Sequence, residues 1–589
     1  MSKIKNNENH HLISGGMRSY TSPVPNIFPP PESMRPTLIG ENYMITAGHP
    51  LVAKIASDIL NSNGNAIDAG VAAGLASNVI QSDMCNLGGV APIILKTASS
   101  KDVWSISGVG TWSNSLTLND YLVKHNSDIP VGAPSCVIPA AVDSWVTALK
   151  LFGTKKFNEI AKPSIYYAEN GFPLDLRTAN AFKIMGETFK SWDSSKKIYW
   201  PKGRPPKTGE FLKQSDLANL LKLMCSNEKG NSREKALDNV RSSFYSGEVA
   251  KKIVDWVSDG GGWMTLEDLN IFKNEVNKAS SFSFQDWQVF TGDIYCQGPV
   301  ILQTLSILNN YDLKSLKHNS TEYIHLLTEA MKLAFSDREK FYGDPNHISN
   351  KLSDLLKSEH IEKLKSLINF NATLEDLPTL NKPKSFRKDT TYFSIIDKYG
   401  NAFSCSPSDT IDGNPIVDGL GIIVSPRGVQ SRLDPNHPSC IGPGKRPRLT
   451  PSPALALKHQ SEGKPKIMTL GSSGGDVIPQ GMLQAFLNYV VFGMSPQQSV
   501  EAARFTTLSF PDSFYPNVHD NGRLSIEKRI SKKIISQLSS RGHKIHLWPE
   551  YEFDSSGVAL SVDIVWPKKN KRVIAAGVDV RRSQYAWGY

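Results

Sequence analysis

The pattern of apolar and polar residues predicts both strands and helices in the first part of the chain. Residues 44–47 read as a short strand, and Pro50 is well placed in the first turn of a following helix. Residues 66–80 are almost entirely apolar and rich in alanine and glycine, which is typical of a helix buried on most sides. A glycine-containing turn at residues 85–90 then leads into a predicted strand over residues 91–96.

The second half of the chain changes from helical to β-type patterning. Residues 140–340 are mainly helical by periodicity, and residues 323–335 show apolar positions at helical spacing. Residues 351–386 are polar and rich in lysine, and we interpret them as a mobile connector. Strands are predicted beyond this connector at residues 391–396, 402–406, 466–470, 558–563 and 572–577, and a helix at about 479–492.

The N-terminal segment, residues 1–40, is predicted to be an irregular arm. Three consecutive prolines at positions 29–31 favour extended backbone, and no apolar core of a secretory signal is present. No run of about 18 apolar residues occurs anywhere in the chain, so no membrane partner is expected. These features lead us to expect a soluble protein of the cytoplasm.

Charge and composition exclude several classes of function. The net charge of +10 is spread along the 589 residues, and the basic clusters at 445–448 and 567–572 lack interleaved aromatic residues, so no nucleic-acid partner is expected. The six cysteines contain no C-x-x-C, and the 13 histidines show no H-E-x-x-H spacing. Residues 442–445 lack the flanking residues of a P-loop. We therefore predict no metal, no disulfide framework and no cofactor.

Thr390, at the start of the strand-rich part, is a candidate nucleophile. A threonine hydroxyl needs a nearby base, and its own α-amine can serve if the threonine begins a chain. The amine has an ordinary pKa near about 8, so a useful fraction is neutral at pH 7. This chemistry requires the bond between Asp389 and Thr390 to be cut first. The same hydroxyl can start that cut by attacking the preceding carbonyl, although a Thr-Thr pair is also ordinary in a strand.

A second candidate nucleophile is Ser473. Residues 471–475 fit G-x-S-x-G between an apolar strand and a helix, which is the arrangement of a nucleophile elbow. His519, His543 and His546 lie downstream and could complete a triad. A serine hydrolase is therefore an alternative, and a catalytically silent scaffold is another.

Five segments, in the same order, resemble the γ-glutamyltransferase (γ-glutamyltranspeptidase, glutathione hydrolase) family of N-terminal-nucleophile (Ntn) hydrolases. The resemblance covers roughly residues 40–589. Its segments are residues 47–69, 86–89, 329–345, 389–402 and 471–475.

This resemblance implies an α+β fold, namely a four-layer αββα sandwich that is self-processed into two subunits. The large subunit would comprise residues 41–389 together with the arm of residues 1–40, and the small catalytic subunit residues 390–589. Each subunit would then be the other's partner, and a homodimer of processed heterodimers is left open.

The resemblance also assigns catalytic roles to four residues. Thr390 corresponds to the catalytic threonine, and Ser408 to a second hydroxyl that hydrogen-bonds it. Gly474 and Gly475 match the pair whose backbone N–H groups form the oxyanion hole, where glycine lets the backbone approach the developing charge closely.

The chain departs from the family pattern where the true transpeptidases bind glutamate. The stretch that would contain a carboxylate-binding arginine carries Ser107 and no arginine. Thr410 occupies the position of an asparagine in the family, and Gln430 that of an aspartate that binds the α-amine. Leu449 and Thr450 occupy the positions of a serine pair. Losing both charges removes much of the binding of a zwitterion.

These departures predict an amidohydrolase or acylase of small-molecule amides, similar to the oxamate-amidohydrolase-like and cephalosporin-acylase-like branches. A true γ-glutamyltransferase with a rearranged glutamate pocket is the alternative. Arg427, Arg432 or Arg446 is a hypothetical replacement contact for a substrate carboxylate.

Overall fold

The computed structural model describes residues 33–374, 390–460, 464–565 and 572–589. Most of the predicted arm, Asp389 and the last third of the predicted connector, residues 375–386, lie outside these ranges. Arg35–Tyr589 forms one compact unit. Within residues 33–40, Leu38–Gly40 is a strand that pairs with Val573–Val578.

Two seven-stranded antiparallel sheets form the centre of this unit. The first sheet contains, in spatial order, Leu38–Gly40, Val573–Val578, Gly557–Val565, Lys466–Ser473, Ala454–Lys458, Trp287–Thr291 and Ser280–Phe284. The second sheet contains Tyr585–Gly588, Tyr43–Ala47, Phe393–Asp397, Ala402–Cys405, Ile93–Lys96, Val103–Ile106 and Val276–Lys278. Smaller sheets are formed by Phe505–Thr507, Arg523–Glu527 and Lys544–Trp548, and by Phe172–Pro173 with Phe211–Leu212.

The alternation of side chains along each strand divides them between two apolar layers. In the strand Phe393–Asp397, Ile395 packs with the helices outside the sheet, whereas Ile396 packs against the other sheet. Leu455 and Ile467 of the first sheet belong to the same inter-sheet cluster as Ile396. Because successive side chains point to opposite faces of a strand, each sheet packs one face against the other sheet and its opposite face against helices.

Helices cover both outer faces, which confirms the predicted α+β four-layer αββα sandwich. Pro50–Asn61 and Ala66–Ile80 pack on the second sheet, and Pro299–Leu308 and Ile478–Val490 pack on the first. The other helices are Leu118–Lys124, Ala141–Phe152, Phe157–Asn170, Leu176–Ile184, Gly186–Lys190, Asp193–Tyr199, Ser215–Ser226, Arg233–Tyr245, Gly247–Asp259, Leu266–Ile271, Thr321–Phe341, Leu352–Leu355, Ser358–Ser366, Pro496–Glu501 and Lys532–Ser540.

The helix Ala66–Ile80 is enclosed as its composition predicts, since every one of its residues is buried. Asn65 caps its first turn by accepting from the backbone N–H groups of Ile67 and Asp68, both at 2.9 Å. The side chain of Asp397 accepts from the Ala66 N–H at 3.0 Å. Because Asp397 ends the strand that follows Thr390, this contact ties the helix directly to the strand of the candidate nucleophile.

The interpretation of residues 351–386 as a connector is wrong for its described part, residues 351–374. Leu352–Leu355 and Ser358–Ser366 are helices, and Ile361 and Leu364 of the second one are buried in the core beneath the first sheet. Exposed charged residues such as Glu362 and Lys363 lie between the two buried apolar residues. The three-residue apolar spacing is therefore hard to recognise in the sequence.

Two further features are the state of the cysteines and the apolar length of the helices. All six cysteines are free thiols. Within the part of the chain that the structure describes, no helix combines the length and apolar character required to cross a membrane.

Replacing Trp145 by alanine is expected to lower the free energy of unfolding by about 3–5 kcal/mol, because it leaves a cavity in the core. Trp145 is fully buried against the helix Ala66–Ile80 and donates to Asn78 Oδ1 at 3.1 Å. Urea unfolding followed by circular dichroism measures the change. Lys54→Ala, on an exposed helix face, is the control and should change it by less than about 0.5 kcal/mol. A loss below about 1 kcal/mol for Trp145→Ala would contradict the packing described.

Candidate active site

Two buried hydroxyl groups face each other where the central strands of the second sheet begin and end. Thr390 Oγ1 lies 2.9 Å from Ser408 Oγ. Thr390 precedes the strand Phe393–Asp397, and Ser408 follows its partner strand Ala402–Cys405. Backbone bonds hold the pair in register, since the Thr391 N–H donates to Pro407 O at 3.1 Å and the Ser408 N–H to Val90 O at 3.0 Å. The predicted nucleophile and its predicted partner are therefore brought together.

The backbone on both sides of this hydroxyl pair is strained. Thr390 has a φ of 121° and Asp409 a φ of 82°, which are unfavourable values for residues with a Cβ. A β-branched side chain at such a φ is an outlier that the surrounding packing must hold in place. Strain of this kind concentrates at functional sites.

An arginine and an aspartate hold the side chain of Ser408 in position. Arg427 Nη2 donates to Ser408 Oγ, and Arg427 Nε is paired with Asp409 Oδ1. Asp409 Oδ2 in turn accepts from Ser425 Oγ at 2.6 Å. Either hydroxyl of the pair can donate to the other, and in one orientation Ser408, whose oxygen accepts from a cation, donates its own proton to Thr390 Oγ1. This orientation leaves the Thr390 proton available to a base.

The three arginines suggested from sequence as substrate contacts are all ion-paired with carboxylates of the protein. Arg427 is paired with Asp409, as described above. Arg432 Nη2 lies 2.9 Å from Glu339, and Arg446 Nη2 lies 2.6 Å from Asp344. Each of the three therefore has a carboxylate partner within the fold, and Arg432 shares its partner Glu339 with Arg338 and Arg448.

A glycine turn ends the central strand of the first sheet. Gly474 has a φ of 124° and Gly475 a φ of 65°, which explains why both positions are glycine. They join the strand Lys466–Ser473 to the 3₁₀ turn Gly475–Val477 and the helix Ile478–Val490. Backbone N–H groups in such a strand-to-helix turn are suited to bind an anion.

A buried polar network fixes this turn. Asp476 Oδ1 pairs with Arg338 Nη1 at 2.5 Å and accepts from Ser513 Oγ at 2.6 Å. Gln297 Nε2 donates to Gly475 O and to Thr450 O, both at 2.9 Å. The turn is thus held by side chains from the large and small predicted subunits together.

The close approach of the two sheets brings the glycine turn towards Thr390. A Cβ at Gly471 would lie only 1.9 Å from the ring of Tyr392, two residues after Thr390. Thr469 Oγ1 also donates to Ser394 Oγ at 2.9 Å across the sheets. Thr390 and Ser473 consequently line the same pocket.

Two arginines that sequence analysis missed line this pocket. They are Arg177, from the start of the helix Leu176–Ile184, and Arg582, from the loop after the strand Val573–Val578. Neither lies in a stretch with a motif, so no local signal marks them. The remaining described lining residues are Gly48, Gln81, Met84, Thr391, Tyr392, Phe553, Ser583 and Gln584.

The predicted substrate-binding residues are divided between four environments. Gln430 Nε2 donates to Thr450 Oγ1 at 2.8 Å, so these two lie with the glycine turn. Leu449 is packed in an apolar cluster with Val90, and Thr410 Oγ1 donates to Asp412. Ser107 lines a different pocket, of about 610 Å³, and donates to Asn274 Oδ1 at 3.2 Å.

The histidines of the serine-hydrolase alternative lie in and beside the strands of the small three-stranded sheet. His543 Nε2 is 2.8 Å from His325 Nδ1. His546 lies on the strand Lys544–Trp548 of the three-stranded sheet, and His519 lies between the strands Phe505–Thr507 and Arg523–Glu527. Burial lowers the pKa of His543 to about 3, so it is neutral at pH 7. Its Nε2 is bonded to His325 rather than to Ser473.

His325, Glu329 and His543 also form a group with ligand atoms within 4.8 Å of one another. Protein partners already occupy these atoms. His325 Nε2 bonds Asn369 O at 2.8 Å, and Glu329 accepts from Lys332, Thr373 and Leu374. This group holds residues 373–374, which end the described large-subunit segment, and it fits a structural role better than a metal site.

Three comparisons place these features in a known group of proteins. A family model described as Gamma-glutamyltranspeptidase matches residues 52–589. The glutathione hydrolase-like YwrD proenzyme of Bacillus subtilis (strain 168) is 31% identical over 535 residues, which cover 90% of this chain and 96% of that protein. The acylase ACY 1 proenzyme of Pseudomonas sp. (strain SE83) is 28% identical, covering 89% and 91%. The crystal structure of cephalosporin acylase from Bacillus halodurans matches with a TM-score of 0.82 at 27% identity, covering 96% of this chain and 99% of that one.

The sandwich fold and these likenesses define the chain as an Ntn hydrolase, a class of enzyme that acts on amide bonds. Within that class, it belongs to the γ-glutamyltranspeptidase family. The family and the enzyme class predicted from sequence are confirmed.

Removing the Asp476 carboxylate is expected to lower the free energy of unfolding by about 3–5 kcal/mol, since the fully buried Arg338 loses a counterion. Asp476→Ala is compared with wild type by urea unfolding. The matched control is Asp520→Ala, which breaks an exposed pair with Arg523 and should cost less than about 1 kcal/mol. Equal effects of the two substitutions would contradict the role given to Asp476.

Proposed function

We propose that this chain cuts itself between Asp389 and Thr390 and then uses Thr390 to hydrolyse small-molecule amides. The distance of 2.9 Å between the Thr390 and Ser408 hydroxyls, in a pocket next to the glycine turn, is the observation that carries this proposal. The family's proenzymes, which include a glutathione hydrolase-like protein and an acylase, support it.

In the cutting step, Thr390 Oγ attacks the carbonyl carbon of Asp389. The C–N bond breaks, the nitrogen takes up the hydroxyl proton, and an ester between Asp389 and Thr390 Oγ replaces the amide. Water then hydrolyses the ester, leaving a carboxylate on Asp389 and a free amine on Thr390. The strained φ of 121° at Thr390 favours this step, because cutting the bond removes the constraint.

In the catalytic step, the new α-amine takes the proton of Thr390 Oγ as the oxygen attacks the substrate carbonyl. The N–H groups of Gly474 and Gly475 stabilise the oxyanion, and Ser408 orients the attacking oxygen. The amine of the substrate leaves with the proton, and an acyl ester remains on Thr390. Water, or an acceptor amine, then releases the acyl group.

The substituted glutamate pocket favours a hydrolase or acylase over a true γ-glutamyltransferase. Ser107 stands where the family's carboxylate-binding arginine is expected, and it lines a pocket other than that of Thr390. Release of amine from γ-glutamyl, oxamoyl and glutaryl amides, assayed in parallel, distinguishes the two. Preference for γ-glutamyl amides, with transfer to acceptor amines, would favour the transferase.

The Thr390→Ala protein is expected to remain one chain of 64.9 kDa, whereas wild type gives two fragments with Thr390 as the new N-terminus. Intact mass spectrometry measures the products. Thr390→Ser keeps the hydroxyl and should still be cut. Thr391→Ala removes only the neighbouring hydroxyl, which bonds Gln81, and should be cut as well. Cutting of Thr390→Ala at this bond would refute the proposal.

Removing the Ser408 hydroxyl is expected to lower kcat by about 10- to 100-fold, the value of one strong hydrogen bond to the attacking oxygen. Rates are measured on processed enzyme with an amide that it turns over. Ser408→Thr keeps the hydroxyl and should restore most of the rate. Ser404→Ala is the matched control, because Ser404 bonds Tyr392 OH on the same hairpin without touching Thr390. If Ser408→Ala kept the wild-type kcat, Ser408 would have no part in catalysis.

A further inference from the structure

The loop after the strand Val573–Val578 carries two consecutive arginines in contrasting environments. Arg581 is fully partnered, with Glu527 at 2.6 and 2.8 Å and Asp579 at 3.0 Å. Arg582 is only 6% exposed, and its Nε donates to Phe553 O at 3.1 Å. Among the residues that the structure describes, neither terminal nitrogen of Arg582 makes a hydrogen bond, and no carboxylate forms an ion pair with it.

A buried guanidinium without acceptors on its terminal nitrogens is costly, so its presence requires a reason. Burial lowers the pKa of Arg582, but only to about 10, and the side chain keeps its positive charge at pH 7. The nearby carboxylates do not bind it. Asp579 is taken by Arg504 at 2.8 Å and by Arg581, and Asp554 is exposed.

The position of this guanidinium is fixed by packing. Its central carbon lies 4.0 Å from the ring centroid of Phe553. A Cβ at Gly557 would lie 2.6 Å from Arg582 Cδ, so the Arg582 side chain passes directly over the backbone of Gly557. Arg582 Nη2 lies 3.3 Å from the position that a Cβ of Gly474 would take. The unpartnered end is therefore beside the glycine turn, in the pocket of Thr390.

The rest of the pocket lining carries no charge that would compensate Arg582. Arg177 also lines it, but Asp83 neutralises that side chain with Nη1 to Oδ2 at 2.6 Å. Among the described lining residues, none is acidic. A low-dielectric pocket with one uncompensated cation favours an anionic group of a ligand.

We propose that Arg582 binds a carboxylate of the substrate, so that the enzyme prefers amides that carry an anionic group close to the scissile bond. This inference rests on the function proposed above, and it names the group that replaces the arginine absent around Ser107. The planar fork of Arg582 offers both terminal nitrogens to one carboxylate. The carboxylate belongs either to the acyl part or to the leaving amine, and the experiment separates these sources.

The test uses two pairs of amides. In the first, the acyl part is glutaryl or its neutral carboxamide, each joined to 4-nitroaniline. In the second, butanoyl is joined to 4-aminobenzoate or to neutral 4-aminobenzamide. The measured quantity is the ratio of kcat/KM for the anionic member to that for the neutral member, on enzyme whose cutting has been checked by intact mass.

Arg582→Gln is expected to lower this ratio about 10- to 100-fold for one pair, the loss expected for a charge-assisted contact. The pair affected identifies the side of the substrate that bears the carboxylate. Arg582→Lys should retain part of the ratio, since it keeps the charge but loses the fork. Arg523→Gln, which removes a partly exposed arginine outside the pocket, should leave both ratios within twofold of wild type.

Ratios within twofold of wild type for both pairs in Arg582→Gln would overturn the proposal. Equal losses on anionic and neutral members would do the same, because they indicate a general effect on the glycine turn.

Binding of free glutarate and of glutaramide, measured by calorimetry, gives a readout that does not need turnover. Glutarate binding that weakens at least tenfold in Arg582→Gln supports the proposal, and unchanged binding contradicts it. Absence of wild-type turnover on all four amides would instead count against the proposed function.

Discussion

The face-to-face packing of two sheets is the constraint on which the candidate site depends. Thr390 stands before a central strand of one sheet, and Gly474 and Gly475 stand after a central strand of the other. The sheets approach so closely at Gly471 and Tyr392 that a single methyl group would not fit between them. The proposed nucleophile and the proposed backbone donors, which come from distant parts of the chain, are thereby held at one place, as preorganised catalysis requires.

Buried charges hold these two parts of the site in position. Arg427 and Asp409 support the hydroxyl of Ser408, whereas Arg338 and Asp476 support the glycine turn. Each cation has a carboxylate beside it, as burial demands. Such networks add little net stability, but they fix the orientation of groups that a purely apolar core would leave free to rotate. The positive φ of Thr390 is maintained at the same place, which shows how strongly the surroundings determine its backbone.

The residues proposed for catalysis and the arginines of the pocket are held by different kinds of structure. Thr390, Ser408 and the glycine pair adjoin strand ends within the two large sheets. Arg582 comes from a loop, and Arg177 from the beginning of a helix outside the sheets. Loops change more readily than packed strands, so a family can keep one reaction while it alters the group that it recognises. The absence of an arginine around Ser107, together with the unpartnered Arg582, is consistent with that division.

The sequence by itself determined the elements with strong local patterns and the family. The enclosed helix Ala66–Ile80, the hairpin after Thr390 and the strand before Gly474 all follow from composition, periodicity and turn residues. The two helices within residues 352–366 were missed, because each has only two buried apolar residues among many polar ones. Tertiary structure alone decided that Arg427 is neutralised by Asp409, whereas Arg582 keeps its terminal nitrogens unbound beside Thr390. Whether a charge is compensated depends on contacts between residues far apart in the chain, and no local pattern encodes those contacts.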